Sequence, residues 1–179
     1  MAVAPFTLRT ERLELDAMTL ADAPIVLAEW GVPEVARMTA SFRTDWTMDA
    51  VRDWIAARLQ PGANGIGCAI RRASDGRLIG SVGMGGNPPN LGYALGKEFW
   101  GQGYALEAAR AFLTAAFAHN STLDIVEAGV FDDNPASSRI LTRLGFVRVG
   151  EGDCTSLARV EPAANSLYRL TRKAFGASQ

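Results

Sequence analysis

Two glycines, Gly101 and Gly103, stand directly before a run in which Leu106, Ala109, Leu113, Ala116 and Phe117 recur at steps of three and four. That spacing makes one face of a helix, and Glu107, Arg110 and Thr114 fall on another. Glu107 and Arg110 are also spaced to pair at i,i+3. A helix that begins straight after Gly-x-Gly leaves its first N–H groups without partners, and its dipole places partial positive charge there. Glycine lets a ligand approach the backbone closely. The chemistry this supports is the grip of a phosphate-bearing ligand by main chain rather than by a basic side chain. The same pattern also serves as a bare strand-to-helix turn.

Other chemistries fit less well. A dinucleotide fingerprint needs Gly or Ala where Leu106 stands, and a P-loop needs Gly-Lys-Ser/Thr, which occurs nowhere in the chain. No Cys/His cluster suggests a metal. Cys68 lies in an apolar strand pattern and reads as a small buried residue; nothing cationic flanks Cys154 to activate its thiol. His119, the single histidine, ends the long helix, where it complements the dipole.

The elements that must position the glycine loop follow from the chain on either side. Tyr93–Leu95 precedes it as a strand opening at Asn90, and the β-branched run Ile125–Phe131 follows the helix. Strand, helix and strand imply two parallel strands joined by a right-handed crossover, with ligands beyond their carboxyl ends. Upstream, Leu8–Asp16 alternates as a first strand. Thr19, with Asp22 in the first turn, caps a helix through Trp30, and Thr47 caps a second that Pro61-Gly62 closes. Ile66–Arg71 and Leu78–Met84 flank an Asp75-Gly76 hairpin turn. Gly83–Pro89 reads as a loop. Downstream, Asp133 or Asn134 caps a helix with Pro135 in its first turn and Gly145 as its stop. Phe146–Glu151 and Ser166–Thr171 close the sheet, with the polar stretch Gly152–Asn165 between them.

Length and composition set bounds. The 179 residues suggest one domain with a proper core, and 48% hydrophobic with 21% charged residues is ordinary for a globular chain. A net charge of −1 without basic clusters asks for neither nucleic acid nor an anionic membrane as partner. No apolar run approaches a membrane span, and the N-terminal stretch turns charged too early for a secretory signal. Two distant cysteines suit a reducing cytoplasm.

The stretch Trp100-Gly101-Gln102-Gly103-Tyr104-Ala105 resembles the acyl-CoA loop of the GNAT N-acetyltransferases, Arg/Gln-x-x-Gly-x-Gly/Ala, with Trp100 replacing the first residue. That departure, with Gly92-Tyr93 before it and Glu107-Ala108 after, is similar to the ribosomal-protein alanine N-acetyltransferase branch. Asn134-Pro135-Ala136-Ser137, followed by Leu144-Gly145-Phe146, resembles the second signature of the same family.

The resemblance implies one α/β domain over residues 1–179, with its core at about residues 8–172. Its sheet would be twisted and mixed, of about six or seven strands, splayed between two central parallel strands and flanked by about four helices. It implies acetyl transfer from acetyl-CoA to a primary amine, a protein N-terminus or a small molecule, without a metal. A non-catalytic acyl-CoA-binding module of the same fold is the alternative. The pantetheine arm would pair with main chain near Leu95 as an added strand. The N–H of Ala94 or Leu95 would face the thioester carbonyl. Gln102, Gly103, Tyr104 and Ala105 would hold the pyrophosphate, Asn134 the pantetheine amides, and the Ser137 hydroxyl would protonate the leaving thiolate.

Relatives often carry a glutamate where this chain has Asn90, so the general base is left unassigned; Glu151, Asp153 and Glu161 are nearby in sequence. The acceptor would be set by the first two helices, Pro33–Trp46 and Gly152–Asn165, with Trp30, Phe42 and Trp46 as a candidate aromatic wall, although Trp30 also suits core packing. A homodimer is compatible with all of this.

Overall fold

Strand alternation and helical spacing resolve into one eight-stranded sheet flanked by helices. The computed structural model describes residues 7–59 and 65–177, so the expected stop at Pro61-Gly62 lies outside the described residues. The strands are β1 (Leu8–Arg9), β2 (Leu13–Asp16), β3 (Gly65–Arg72), β4 (Leu78–Gly85), β5 (Asn90–Leu95), β6 (Ile125–Phe131), β7 (Val147–Cys154) and β8 (Ala163–Thr171). They lie in the order β1-β2-β3-β4-β5-β6-β8-β7. β5 and β6 are parallel neighbours, and the other neighbouring pairs are antiparallel. The helices are α1 (Ala23–Ile25), α2 (Pro33–Ala36), α3 (Met48–Leu59), α4 (Tyr104–His119), α5 (Pro135–Arg143) and α6 (Arg172–Ala177).

The sheet has more strands than the sequence suggests because Leu8–Asp16 breaks in two. The Thr10 N–H donates to the Leu13 carbonyl and the Leu13 N–H donates to the Thr10 hydroxyl, turning the chain between β1 and β2. The Gly83–Gly85 stretch, which reads as loop, completes β4 instead. A β-carbon on Gly83 would stand 2.9 Å from the Ile66 carbonyl oxygen, so the ladder admits only glycine there without shifting. The run from Leu20 to Trp30 is not one regular helix. A 3-10 turn leads into α1, and Val26–Trp30 widens to a π-helical turn. α2 interrupts the expected loop after Pro33. β7 and β8 each extend into the polar stretch Gly152–Asn165.

Caps behave as composition predicts. The Thr47 hydroxyl accepts from the Ala50 N–H. At the end of α5, Gly145 takes φ +92° while the Phe146 N–H returns to the Leu141 carbonyl.

The two sheet faces have separate cores. On one, Leu91 and Leu95 of β5 pack with Phe112, Leu113 and Ala116 of α4, Val126 and Ala128 of β6, and Leu141 and Leu144. On the other, Ala69, Leu78 and Ala94 meet Val26, Trp30, Val51 and Ile55. Each large buried side chain contributes about 1.5–3 kcal/mol. Trp30 stacks on Phe42 with ring centroids 5.5 Å apart, and Phe42 also meets Trp46 and Trp54. Trp30, Phe42 and Trp46 are all buried in that core. They pack the second core rather than forming an open aromatic wall.

Candidate active site

β5 and β6 touch once and then part. Their parallel register holds only the pair Asn90 and Glu127, beside a 2.8 Å bond from the Glu127 N–H to the Pro89 carbonyl. Beyond that bridge the strands diverge and leave the edge of β5 open. Strand alternation decides what this edge presents. The Gly96 N–H turns towards β4 and donates to the Ile79 carbonyl at 2.9 Å. Ala94, in register with Ser81, turns its N–H the same way, into the β4 ladder. Tyr93 and Leu95 therefore point their N–H groups into the cleft. Of the two N–H groups named from sequence, that of Leu95 faces the cleft and that of Ala94 faces β4.

The glycine loop closes the cleft at its upper end. Gly101 and Gly103 take φ of +74° and +83°, a region natural to glycine. No side chain caps α4 at Gly103. Its first internal bond runs from the Glu107 N–H to the Gly103 carbonyl at 3.1 Å. The N–H groups of Tyr104 and Ala105 precede that bond, so they lie at the positive end of the helix dipole. The Trp100 indole N–H donates to the Leu95 carbonyl at 2.9 Å, tying the loop to β5. The Gln102 side chain donates back to the Glu98 carbonyl at 2.9 Å.

Arg12, from the turn between β1 and β2, had no local signal in the sequence. Its guanidinium donates to the Gln102 carbonyl at 3.0 Å and to Glu107 at 2.7 Å, and it lies over the Tyr104 ring. The Thr10 hydroxyl donates to the same carboxylate at 2.6 Å. Burial alone would raise the Glu107 carboxyl; the bonds from Thr10 and Arg12 outweigh that and hold it below the usual carboxylate range. Thus Glu107 reaches across the fold to Arg12, and a cation braces a loop expected to work through main chain alone.

Asn134 and Ser137 sit at the start of α5, across the cleft from β5. The Asn134 side-chain oxygen accepts the Ser137 N–H at 3.2 Å, so this asparagine, rather than Asp133, is the cap. Its amide NH2 is left as the donor. Tyr93 reaches across from β5, and its hydroxyl donates to the Ser137 carbonyl at 3.3 Å. Burial pushes this phenol up to about 12, partly opposed by that hydrogen bond, so it is neutral and a donor near neutrality.

The segments Pro33–Trp46 and Gly152–Asn165 meet near the end of β6. The Leu157 N–H donates to the Ala40 carbonyl at 3.2 Å, and Arg159 donates to the Arg37 carbonyl at 2.9 Å. Asp133 accepts from Arg159 at 2.8 Å and from Arg37 at 2.7 Å. The hydrogen bond from Arg159 holds the Asp133 carboxyl below its usual range, with Arg37 adding to the effect. Of the carboxylates near the end of β7, Glu151 is paired with Arg148 at 2.7 Å. Glu127 accepts from Arg169 at 2.7 Å.

The sequence that builds this split parallel pair, uncapped helix start and facing helix matches the acetyltransferase (GNAT) domain family over residues 12–147. The chain belongs to the GNAT acetyltransferase family. Its relatives include an uncharacterised N-acetyltransferase, p20, of Bacillus licheniformis, 31% identical over 154 residues, covering 80% of this chain and 84% of that protein. Another, YoaA of Bacillus subtilis, is 29% identical over 153 residues, again covering 80% and 84%. The fold is shared with a GNAT-family acetyltransferase from Bacillus anthracis, at a TM-score of 0.78 and 19% identity, covering 94% of this chain and 99% of that one. It is shared too with the ribosomal-protein-S5-alanine acetyltransferase of Vibrio fischeri, at 0.74 and 17%, covering 93% and 96%. The microcin C7 self-immunity acetyltransferase MccE, solved with acetyl-CoA and AMP, matches at 0.76 and 14%, covering 90% and 93%.

As a GNAT enzyme the protein moves an acetyl group from acetyl-CoA to an amine nitrogen. No helix among the described residues is long and apolar enough to cross a membrane.

Proposed function

We propose that acetyl-CoA lies in the cleft between β5 and β6 and acetylates a primary amine by direct transfer. The pyrophosphate sits on the N–H groups of Gln102, Gly103, Tyr104 and Ala105. The pantetheine arm pairs with the open edge of β5 near Leu95, and the Asn134 amide donates to the arm from the other side. The observation that carries this reading is the single bridged pair between β5 and β6. An open parallel edge beside an uncapped helix start offers amide partners and anion donors a short distance apart.

In the reaction the amine nitrogen attacks the thioester carbonyl carbon. The oxyanion is received by the cleft-facing N–H of Tyr93 or Leu95, a fixed donor worth about 3 kcal/mol by analogy with other oxyanion holes. The carbon–sulfur bond then breaks, and the Ser137 hydroxyl protonates the departing thiolate while taking a proton from solvent water. The amine proton leaves through water to Glu127, the cross-strand partner of Asn90 on the same face of the sheet. Asn90 cannot take a proton, and this neighbouring strand returns a carboxylate to the site.

The whole chain is read as one acetyltransferase domain with its core at about residues 8–172. A cytoplasmic location is supported by two free cysteines, Cys68 buried and Cys154 half-buried. Release of CoA thiol, followed with a panel of primary amines, tests the assignment. Turnover that needs both acetyl-CoA and an amine is expected; CoA binding without turnover on any amine would support a non-catalytic module instead.

A further inference from the structure

We infer that Asp133 is a positioning residue that ties the segments expected to set the acceptor to the turn carrying Asn134, so that acetyl-CoA binding fixes the place where the amine docks. This rests on the proposed seating of the pantetheine arm against Asn134, and it names what links that seat to the acceptor side of the same cleft.

Asp133 lies in the tight turn between β6 and α5. The Asn134 N–H donates to the Phe131 carbonyl at 2.8 Å, which closes the turn around Asp132 and Asp133. Capping of α5 falls to the Asn134 side chain, so the Asp133 carboxylate is not spent on the helix. It reaches outward instead. It accepts from Arg159 at 2.8 and 3.0 Å and from Arg37 at 2.7 Å. Arg159 comes from the connection between β7 and β8, and Arg37 follows α2. Among the described residues neither guanidinium meets another carboxylate.

The two segments are also joined to each other without Asp133. The Leu157 N–H donates to the Ala40 carbonyl at 3.2 Å, and the Arg159 Nε to the Arg37 carbonyl at 2.9 Å. They therefore form one unit, and Asp133 is where that unit grips the turn. The Arg159 side chain is 14% exposed and its guanidinium lies 4.4 Å from the centre of the Phe131 ring, so it is held between the strand end and the carboxylate. Charge-assisted bonds of this length are roughly twice as strong as neutral ones. A shift of Asn134 towards the arm carries Asp133, the adjacent residue, and with it both arginines. By linkage, a cofactor that fixes the turn fixes the segments, and an amine held by the segments tightens the cofactor in return.

Exchange of the Leu157 amide hydrogen, followed by NMR on the full chain with and without saturating CoA, tests this with no amine present. In the wild type CoA should slow this exchange about fivefold or more, the lower end of the usual coupling between sites. In Asp133→Asn the slowing should fall below about twofold, and in Arg37→Gln it should be partly lost, while CoA affinity stays within about twofold of wild type in both. A contact that served folding alone would speed exchange equally with and without CoA, so the CoA-dependent part reports the coupling. Melting temperature shows whether Asp133→Asn is folded; Arg37→Gln, at an exposed position, carries the test if it is not. Equal slowing in the wild type and the variants overturns the inference. So does protection of the Ser137 N–H by CoA with none at Leu157. CoA that binds yet protects neither amide counts against the proposed seating on Asn134 and takes the inference with it.

Discussion

The indole N–H of Trp100 donates to the Leu95 carbonyl across 2.9 Å, joining the glycine loop to the strand whose edge faces the cleft. Trp100 stands at the one position where the loop departs from its family pattern, and the bond shows what the departure does. Trp100→Phe removes this donor and leaves a cleft-edge carbonyl unpaired. A loss of about 1 kcal/mol is expected, or a melting temperature lower by about 2–4 °C. The Kd for CoA, measured by calorimetry, should rise several-fold; an unchanged Kd would mean that this bond does not set the loop.

Gly103 takes φ +83°, and a β-carbon there would lie 3.4 Å from the Arg12 guanidinium. Gly103→Val therefore strains the backbone, at a cost of about 1–3 kcal/mol, and places branched carbons where the diphosphate approaches. CoA affinity should fall at least tenfold.

Glu127→Gln tests the route of the amine proton. If the carboxylate takes that proton through water, kcat should drop by about 10²–10⁴ while CoA affinity holds. An unchanged kcat would exclude Glu127.

Arg71 holds Asp16 and Asp22 through paired bonds of 2.9 Å, beneath the second core. Burial alone would raise the Asp22 carboxyl; the bonds from Arg71 and Thr19 outweigh it and set its pKa below the usual value. A carboxyl depressed in the folded state stabilises above its unfolded pKa, and the stabilisation is lost as pH falls through the folded value. Urea unfolding should therefore show wild-type stability falling below about pH 4, with Asp22→Asn flatter over that range. At neutral pH the variant should be about 2 kcal/mol less stable, since Arg71 keeps Asp16.

The central unit was legible because its signals are local. Helical spacing after Gly-x-Gly, the Asn134 cap and the Gly145 stop each lie within a few residues, and the structure places them as read. The unread features join distant segments. Arg12 meets Glu107 across 95 positions, Arg159 meets Arg37 across 122, and neither pairing has a periodicity. Gly83–Gly85 looked like a loop because glycine composition says nothing of strand spacing; the closeness of Ile66 decides it. The choice between Ala94 and Leu95 likewise depends on which way β5 faces its neighbours, which only the register fixes.

The most direct test is a crystal structure of the CoA complex. The pantetheine arm should lie between β5 and β6, hydrogen-bonded to the edge that carries Tyr93 and Leu95, with the diphosphate on the N–H groups that open α4. CoA bound elsewhere on the protein, or a cleft closed by further pairing of β5 with β6, would contradict the account.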